Sequence, residues 1–406
     1  MERVDAAEAG FDPERLARID AFLDEHYFAP ELLAGAQLLI AREGKAVHFS
    51  TAGKARASGE PMGEDSIFRI ASMTKPITSI AFMMLVEEGR ATLDQSVDRV
   101  IPELKNMGVY AGGGAGAPFL VSPPERPMMM IDLLRHTSGL TYSFQHRTNV
   151  DAAYRARKIE GWHGALDLDG FVAELADIPL EFSPGTAWNY SVSTDVLGLV
   201  VERVSGMKLD RFFEERIFGP LEMVDTAFHV PPEKAHRLGD AWAWREGKGA
   251  VVYDSALESA WSEPPRLLAG GAGLVSTIAD YHRFCAMLAG GGALGGARIV
   301  GRKTLELMTA NHLPGGADLT EMSRSLFSEA INAGQGFGLG FGVNLDPAKT
   351  MLPGSRGEYY WGGMFSTAFF VDPVERIHMI FMTQLMPSST YPIRRQLKTL
   401  IYSALK

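Results

Sequence analysis

Ser72-Met73-Thr74-Lys75 places a hydroxyl and an amine three residues apart, at the head of a segment where Ile77, Ile80, Ala81, Met84 and Leu85 recur at helical spacing. Residues i and i+3 share one face of a helix, so the Lys75 amine can approach the Ser72 hydroxyl. A serine at a helix N-terminus sits in positive potential, which favours an alkoxide and later an oxyanion. Serine is a weak nucleophile until a base takes its proton, and a lysine whose pKa is lowered by burial can act as one. Ser-x-x-Lys occurs three times in the chain. Ser205 to Lys208 follows a helical run and reads as its stop signal, and Ser403 to Lys406 lies at the wrong dipole end of the last helix. Only Ser72 opens a helix with an apolar face behind it. Pro76 is tolerated in the first turn and Gly89 suits the C-terminus.

Other chemistry-bearing patterns are weaker. Gly-x-Ser-x-Gly is absent from the sequence, which disfavours a lipase-type triad. Gly290 to Gly295 satisfies GxGxxG but follows a helix-like run, so a flexible loop is expected in place of a dinucleotide site. GQGFGLGFGV reads as one glycine-rich strand near the site. His136 and His282 read as structural, and the single cysteine, Cys285, as a buried thiol; Tyr142, Phe144 and Trp162 read as core packing, with lining of the acyl or alcohol pocket as the alternative. The sequence contains no HExxH, paired cysteines or acidic cluster at ligand spacing, so neither metal nor cofactor is expected.

The elements that must position Ser72 come from both chain ends. Asp12 and Pro13 start a helix carrying Leu16, Ile19 and Leu23 on one face. AQLLIAREGKAVHFS, two apolar runs around Arg42-Glu43-Gly44-Lys45, reads as a β-hairpin. MFSTAFFV and RIHMIFMT form a second strand pair, and Ile393, Leu397, Leu400, Ile401 and Ala404 mark a closing helix. From about 91 to 224 helical segments alternate with loops such as YAGGGAGAP and VSPPERP. The expectation is an α/β fold: an antiparallel sheet flanked by helices, built from 1–90 and 225–406, with a mostly helical domain inserted at 91–224 and the site in the cleft between.

A net charge of −10 argues against nucleic acid as partner. The longest apolar run, Ile80 to Val86, is far short of the ~20 residues that span a bilayer. The N-terminal segment shows no apolar signal-peptide core. A cytoplasmic protein without membrane partner, acting on a small molecule, is expected.

Three segments in order carry a family likeness: Ser72 to Lys75, Trp188-Asn189-Tyr190-Ser191-Val192 after the LLRHTSGL run, and Trp361-Gly362-Gly363 before a strand. The chain resembles the class C β-lactamase and penicillin-binding-protein superfamily, and within it the family VIII carboxylesterases. The resemblance implies a β-lactamase/transpeptidase-like fold, Ser72 as nucleophile, and Tyr190 with Lys75 as proton shuttle. It further implies an oxyanion hole from the backbone N–H groups of Ser72 and Met364. Val192 stands where the family's second motif has asparagine, and Trp361 where β-lactamases have lysine. Trp361, Gly362, Gly363 and Val192 are thus expected to contact substrate with apolar surface, which suits an uncharged short- to medium-chain ester. The alternatives are a β-lactamase or DD-peptidase, an acyltransferase, and a non-catalytic binding relative.

Overall fold

The computed structural model describes residues 2–160, 164–324 and 333–406. Its centre is a seven-stranded antiparallel sheet: β1 (Gly35–Arg42), β2 (Lys45–Gly53), β3 (Gln335–Phe337), β4 (Gly342–Asn344), β5 (Tyr359–Gly362), β6 (Ala368–Asp372) and β7 (Ile377–Thr383), in the order β3-β4-β5-β6-β7-β1-β2. The N-terminal hairpin thus completes a sheet begun by the last third of the chain, with Leu39 opposite Ile380. Glu43 and Gly44 both take positive φ, 54° and 78°, as a two-residue hairpin turn requires.

Side chains of period two face two layers. Leu38, Ile40, Phe370 and Phe381 pack against α1 (Pro13–Leu23) and the closing helix α5 (Ile393–Ser403). Leu39, Phe369, Val371 and Ile380 face the larger core, which holds α2 (Thr74–Glu87), α3 (Ser193–Ser205) and α4 (Ile278–Ala289). With both faces covered, every residue of β7 is buried. Asp12 caps α1 through the N–H groups of Glu14 and Arg15. Cys285 is buried in α4, where the apolar surroundings push its thiol pKa well up.

Three expectations need correction. YAGGGAGAP is a hairpin, Val109–Gly114 with Ala117–Ser122, whose turn residues Ala115 and Gly116 have positive φ. Its glycines carry no side chains, so alternation could not register. GQGFGLGFGV is two strands, β3 and β4, because Gly340 at φ 96° turns the chain back. The glycines after α4 lead into a short hairpin, Ala293–Leu294 with Ala297–Arg298. Leu133, Tyr154, Phe171 and Leu197 of the 91–224 segment share one hydrophobic cluster with Leu39 and Ile380 of the sheet. Among the described residues no helix is long and apolar enough to cross a membrane.

Candidate active site

Ser72 lies in a 3₁₀ turn, Ala71–Met73, and α2 proper begins at Thr74. From Thr74 to Leu85 that helix is buried on every side, wider than the single apolar face read from sequence. The residue before Ser72, Ala71, holds φ +45°, a conformation that costs a non-glycine residue on the order of 1 kcal/mol and persists only when surroundings impose it. Those surroundings are visible. Arg69, 1% exposed, donates to Gly239 O (2.8 Å), Ser259 Oγ (2.9 Å) and Gln384 Oε1, and pairs with Asp254. Gln384 in turn bonds both the N–H and the carbonyl of Arg69.

Two groups converge on Ser72 Oγ: the Tyr190 hydroxyl at 2.6 Å and Lys75 Nζ at 3.2 Å. Lys75 also donates to Gly271 O (2.7 Å) and Tyr142 Oη (3.0 Å), and its Nζ stands 4.6 Å from the Tyr190 ring centre. Each of these oxygens can accept a hydrogen bond from an ammonium. Asp195, in the first turn of α3, accepts the Gly271 N–H at 2.9 Å and so fixes the carbonyl that Lys75 uses. Burial raises the Asp195 pKa, with the Lys75 charge opposing it. Burial first, then the Asp195 charge, drives the Tyr142 pKa well above the usual phenol range, so Tyr142 stays a neutral hydroxyl between Lys75 and Asp195.

Tyr190 is held by a neighbouring segment. The N–H groups of Asn189 and Val192 donate to His136 O and Thr141 O, and the Asn189 side chain donates to Leu140 O. That is why TSGL after LLRH accompanies Tyr190: Gly139 has φ +88°, and a Cβ there would lie 2.4 Å from Phe182 O. His136 packs at a tilt against Tyr190, with ring centres 5.0 Å apart, and burial with the nearby Lys75 charge holds its pKa well below 6.5, leaving a neutral ring.

The opposite wall is the turn after β5. Gly363 sits against the nucleophile segment so closely that a Cβ would lie 2.4 Å from Ile70 O, and Thr367 Oγ1 donates to that same carbonyl at 3.4 Å. Neither the Ser72 nor the Met364 N–H has an acceptor among the described residues. Two free N–H groups on abutting segments are what an oxyanion hole needs.

The four residues expected to contact substrate are all buried. Trp361 (2% exposed) packs its ring on Tyr190 and Phe337, and Val192 (0%) sits at the start of α3. Gly362 and Gly363 are buried close-approach positions. Among the described residues, Phe144, stacked on Tyr142, and Tyr253, whose ring meets Phe365 beside Met364, are exposed aromatic rings. Trp162 lies outside the described residues. Sequence reading missed Tyr142, Gly271 and Asp195 as Lys75 partners. An aspartate in a first helical turn looks like ordinary dipole compensation, and nothing local marks a distant carbonyl as a ligand.

Residues 26–402 match the Beta-lactamase family. Protein Rv1367c of Mycobacterium tuberculosis is 34% identical over 361 residues, covering 88% of this chain and 87% of that protein. Esterase EstB of Burkholderia gladioli is 32% identical over 395 residues, 90% of each chain. The solved structure of EstCE1, described as a hydrolase with promiscuous acyltransferase activity, superposes with a TM-score of 0.78 at 24% identity, over 96% of this chain and 99% of that one. The chain therefore belongs to the Beta-lactamase family, as a serine hydrolase similar to the family VIII esterases.

Proposed function

We propose that the protein is a carboxylesterase that hydrolyses short- to medium-chain acyl esters through an acyl-enzyme on Ser72. The observation that carries this reading is the convergence of Tyr190 Oη and Lys75 Nζ on Ser72 Oγ, at 2.6 and 3.2 Å. Tyr190 and Lys75 act as one coupled acid–base pair, holding one proton fewer than their fully protonated form in the reactive state. Ser72 Oγ attacks the ester carbonyl as its proton passes to the pair. The Ser72 and Met364 N–H groups hold the developing oxyanion. Collapse of the tetrahedral intermediate expels the alcohol, which takes the proton back from the pair. Water then attacks the acyl-enzyme, again through the pair, releasing the acid and restoring Ser72.

The surroundings favour an uncharged ester. Trp361, at the position of the third-motif lysine, carries no charge, and the exposed rings of Phe144 and Tyr253 are aromatic. Transfer of the acyl group to an alcohol is the second reading. It shares the first half-reaction, and the description of EstCE1 supports it.

Wild type and Ser72→Ala assayed against p-nitrophenyl acetate through decanoate, a chromogenic cephalosporin, and ester with added butanol separate these readings. The expected result is ester turnover that peaks at short to medium chains and vanishes in Ser72→Ala. Cephalosporin turnover above that of the esters would contradict the substrate class.

A further inference from the structure

The turn that carries the Met364 N–H is shaped by a residue thirty positions away. Gly363 O accepts the Ser366 N–H at 3.1 Å, and Gly363 N–H donates to Thr367 O at 2.9 Å, which leaves Met364 between two backbone anchors. Ser366 holds φ +65°, and its hydroxyl donates to Leu385 O at 2.6 Å. Backbone hydrogen bonds alone define a turn. They do not fix its angle against Ile70 and Ser72.

Arg394, in the first turn of α5, reaches this turn from the far face of the sheet. Its Nη2 donates to Gly363 O at 2.7 Å and to Thr367 O at 2.8 Å. One nitrogen with two protons thus holds the two carbonyls that bracket Met364. Charge-assisted bonds of this length are among the stronger and more directional in proteins. The guanidinium reaches them by lying against Gly362, where a Cβ would come within 2.7 Å of Arg394 Cζ and Nη2. Gly362 therefore clears the path for Arg394, as Gly363 clears the contact with Ile70 O.

We propose that Arg394 is a positioning residue for the oxyanion hole, holding the Gly363–Thr367 turn so that the Met364 N–H points at the developing oxyanion. The proposal rests on Met364 being an oxyanion donor. Arg394 acts through these two carbonyls. A lysine in its place offers a compact ammonium without the planar fork, so it restores the charge and only part of the geometry. Gly362→Ala breaks the same link from the other side while keeping the arginine.

The test compares p-nitrophenyl butanoate with its thiono counterpart. An oxyanion hole shaped for oxygen discriminates against the larger sulfur, so the ratio of the two kcat/KM values reports on the hole itself. Wild type should strongly prefer the oxo ester. Arg394→Gln and Gly362→Ala should each lose about 10- to 100-fold in kcat on the oxo ester, a loss smaller than the ~10²–10³-fold cost of deleting a donor outright. KM should stay within about twofold, because ground-state binding is untouched. The oxo/thiono ratio should fall with kcat, and Arg394→Lys should lie between wild type and Arg394→Gln. A wild type that shows no oxo preference would overturn the oxyanion-hole reading on which this rests. A normal preference in wild type that survives unchanged in Arg394→Gln and Arg394→Lys would overturn the role of Arg394 alone. So would an equal fractional loss on both esters, which marks lost folded enzyme and not a reshaped hole.

Discussion

Lys75 and Tyr190 reach Ser72 from α2 and from the segment entering α3, while the Met364 N–H comes from a turn that belongs to no helix. The proposed proton-handling side is fixed by short spacing and by a buried polar chain: Lys75, Tyr142, Gly271 O and Asp195. The proposed oxyanion side is fixed by close approach, with Gly363 against Ile70 O and Arg394 across Gly362. One half depends on which functional groups are present, the other on how little room is left between backbones. Substitutions should therefore fail differently in the two halves.

On the proton-handling side, removing a functional group should be most damaging. Lys75→Met and Tyr190→Phe should each lower kcat on the order of 10³-fold. The double variant should be barely worse than either single one, because groups acting as a unit are not additive. Steady-state kinetics on one ester check this, and multiplicative losses would show that the two side chains act separately.

On the oxyanion side, adding one methyl group should suffice. Gly363→Ala would set a Cβ 2.4 Å from Ile70 O, so the turn must shift. We expect kcat to fall by about 10²-fold, comparable to loss of one donor, while Ser72 still reacts with a small phosphonate at a measurable rate. Unchanged kcat would mean that the turn position is not critical.

A third buried polar group serves as contrast. His282 Nδ1 and His378 Nε2 lie 2.9 Å apart between α4 and β7, away from Ser72. Burial lowers the His282 pKa from 6.5 to about 4 and drives that of His378 in the same direction. The unfolded chain therefore binds protons in this window that the folded chain refuses. Stability is fully present above pH 6.5 and falls as pH drops toward 4, with His282 alone contributing on the order of 3 kcal/mol. Urea midpoints across that range should show the loss. Replacing both imidazoles by leucine should flatten it without changing kcat at pH 7.5. An unaltered pH slope would assign acid sensitivity to other groups.

The same division explains what could be read before the structure. Ser72, Lys75, the first hairpin and the closing helix announce themselves through local spacing and capping residues. Tyr190 needed the family likeness, because a tyrosine beside Trp188 looks like core. The 109–122 hairpin stayed hidden because glycine gives no hydrophobic alternation. Asp195, Gly271 and Arg394 stayed hidden for another reason: each works through a carbonyl or amide distant in sequence, and any residue type supplies those. Trp361 and Val192 were recognisable as departures from the motif, yet their burial behind Tyr190 follows only from packing.

The central claim is that Ser72 carries the acyl group. Rapid acid quench of wild type during turnover of p-nitrophenyl butanoate, followed by peptide mass mapping, tests it most directly. The account predicts one butanoyl group on the peptide containing Ser72, absent from Ser72→Ala. A butanoyl group on any other residue, or ester turnover that persists in Ser72→Ala, would contradict it.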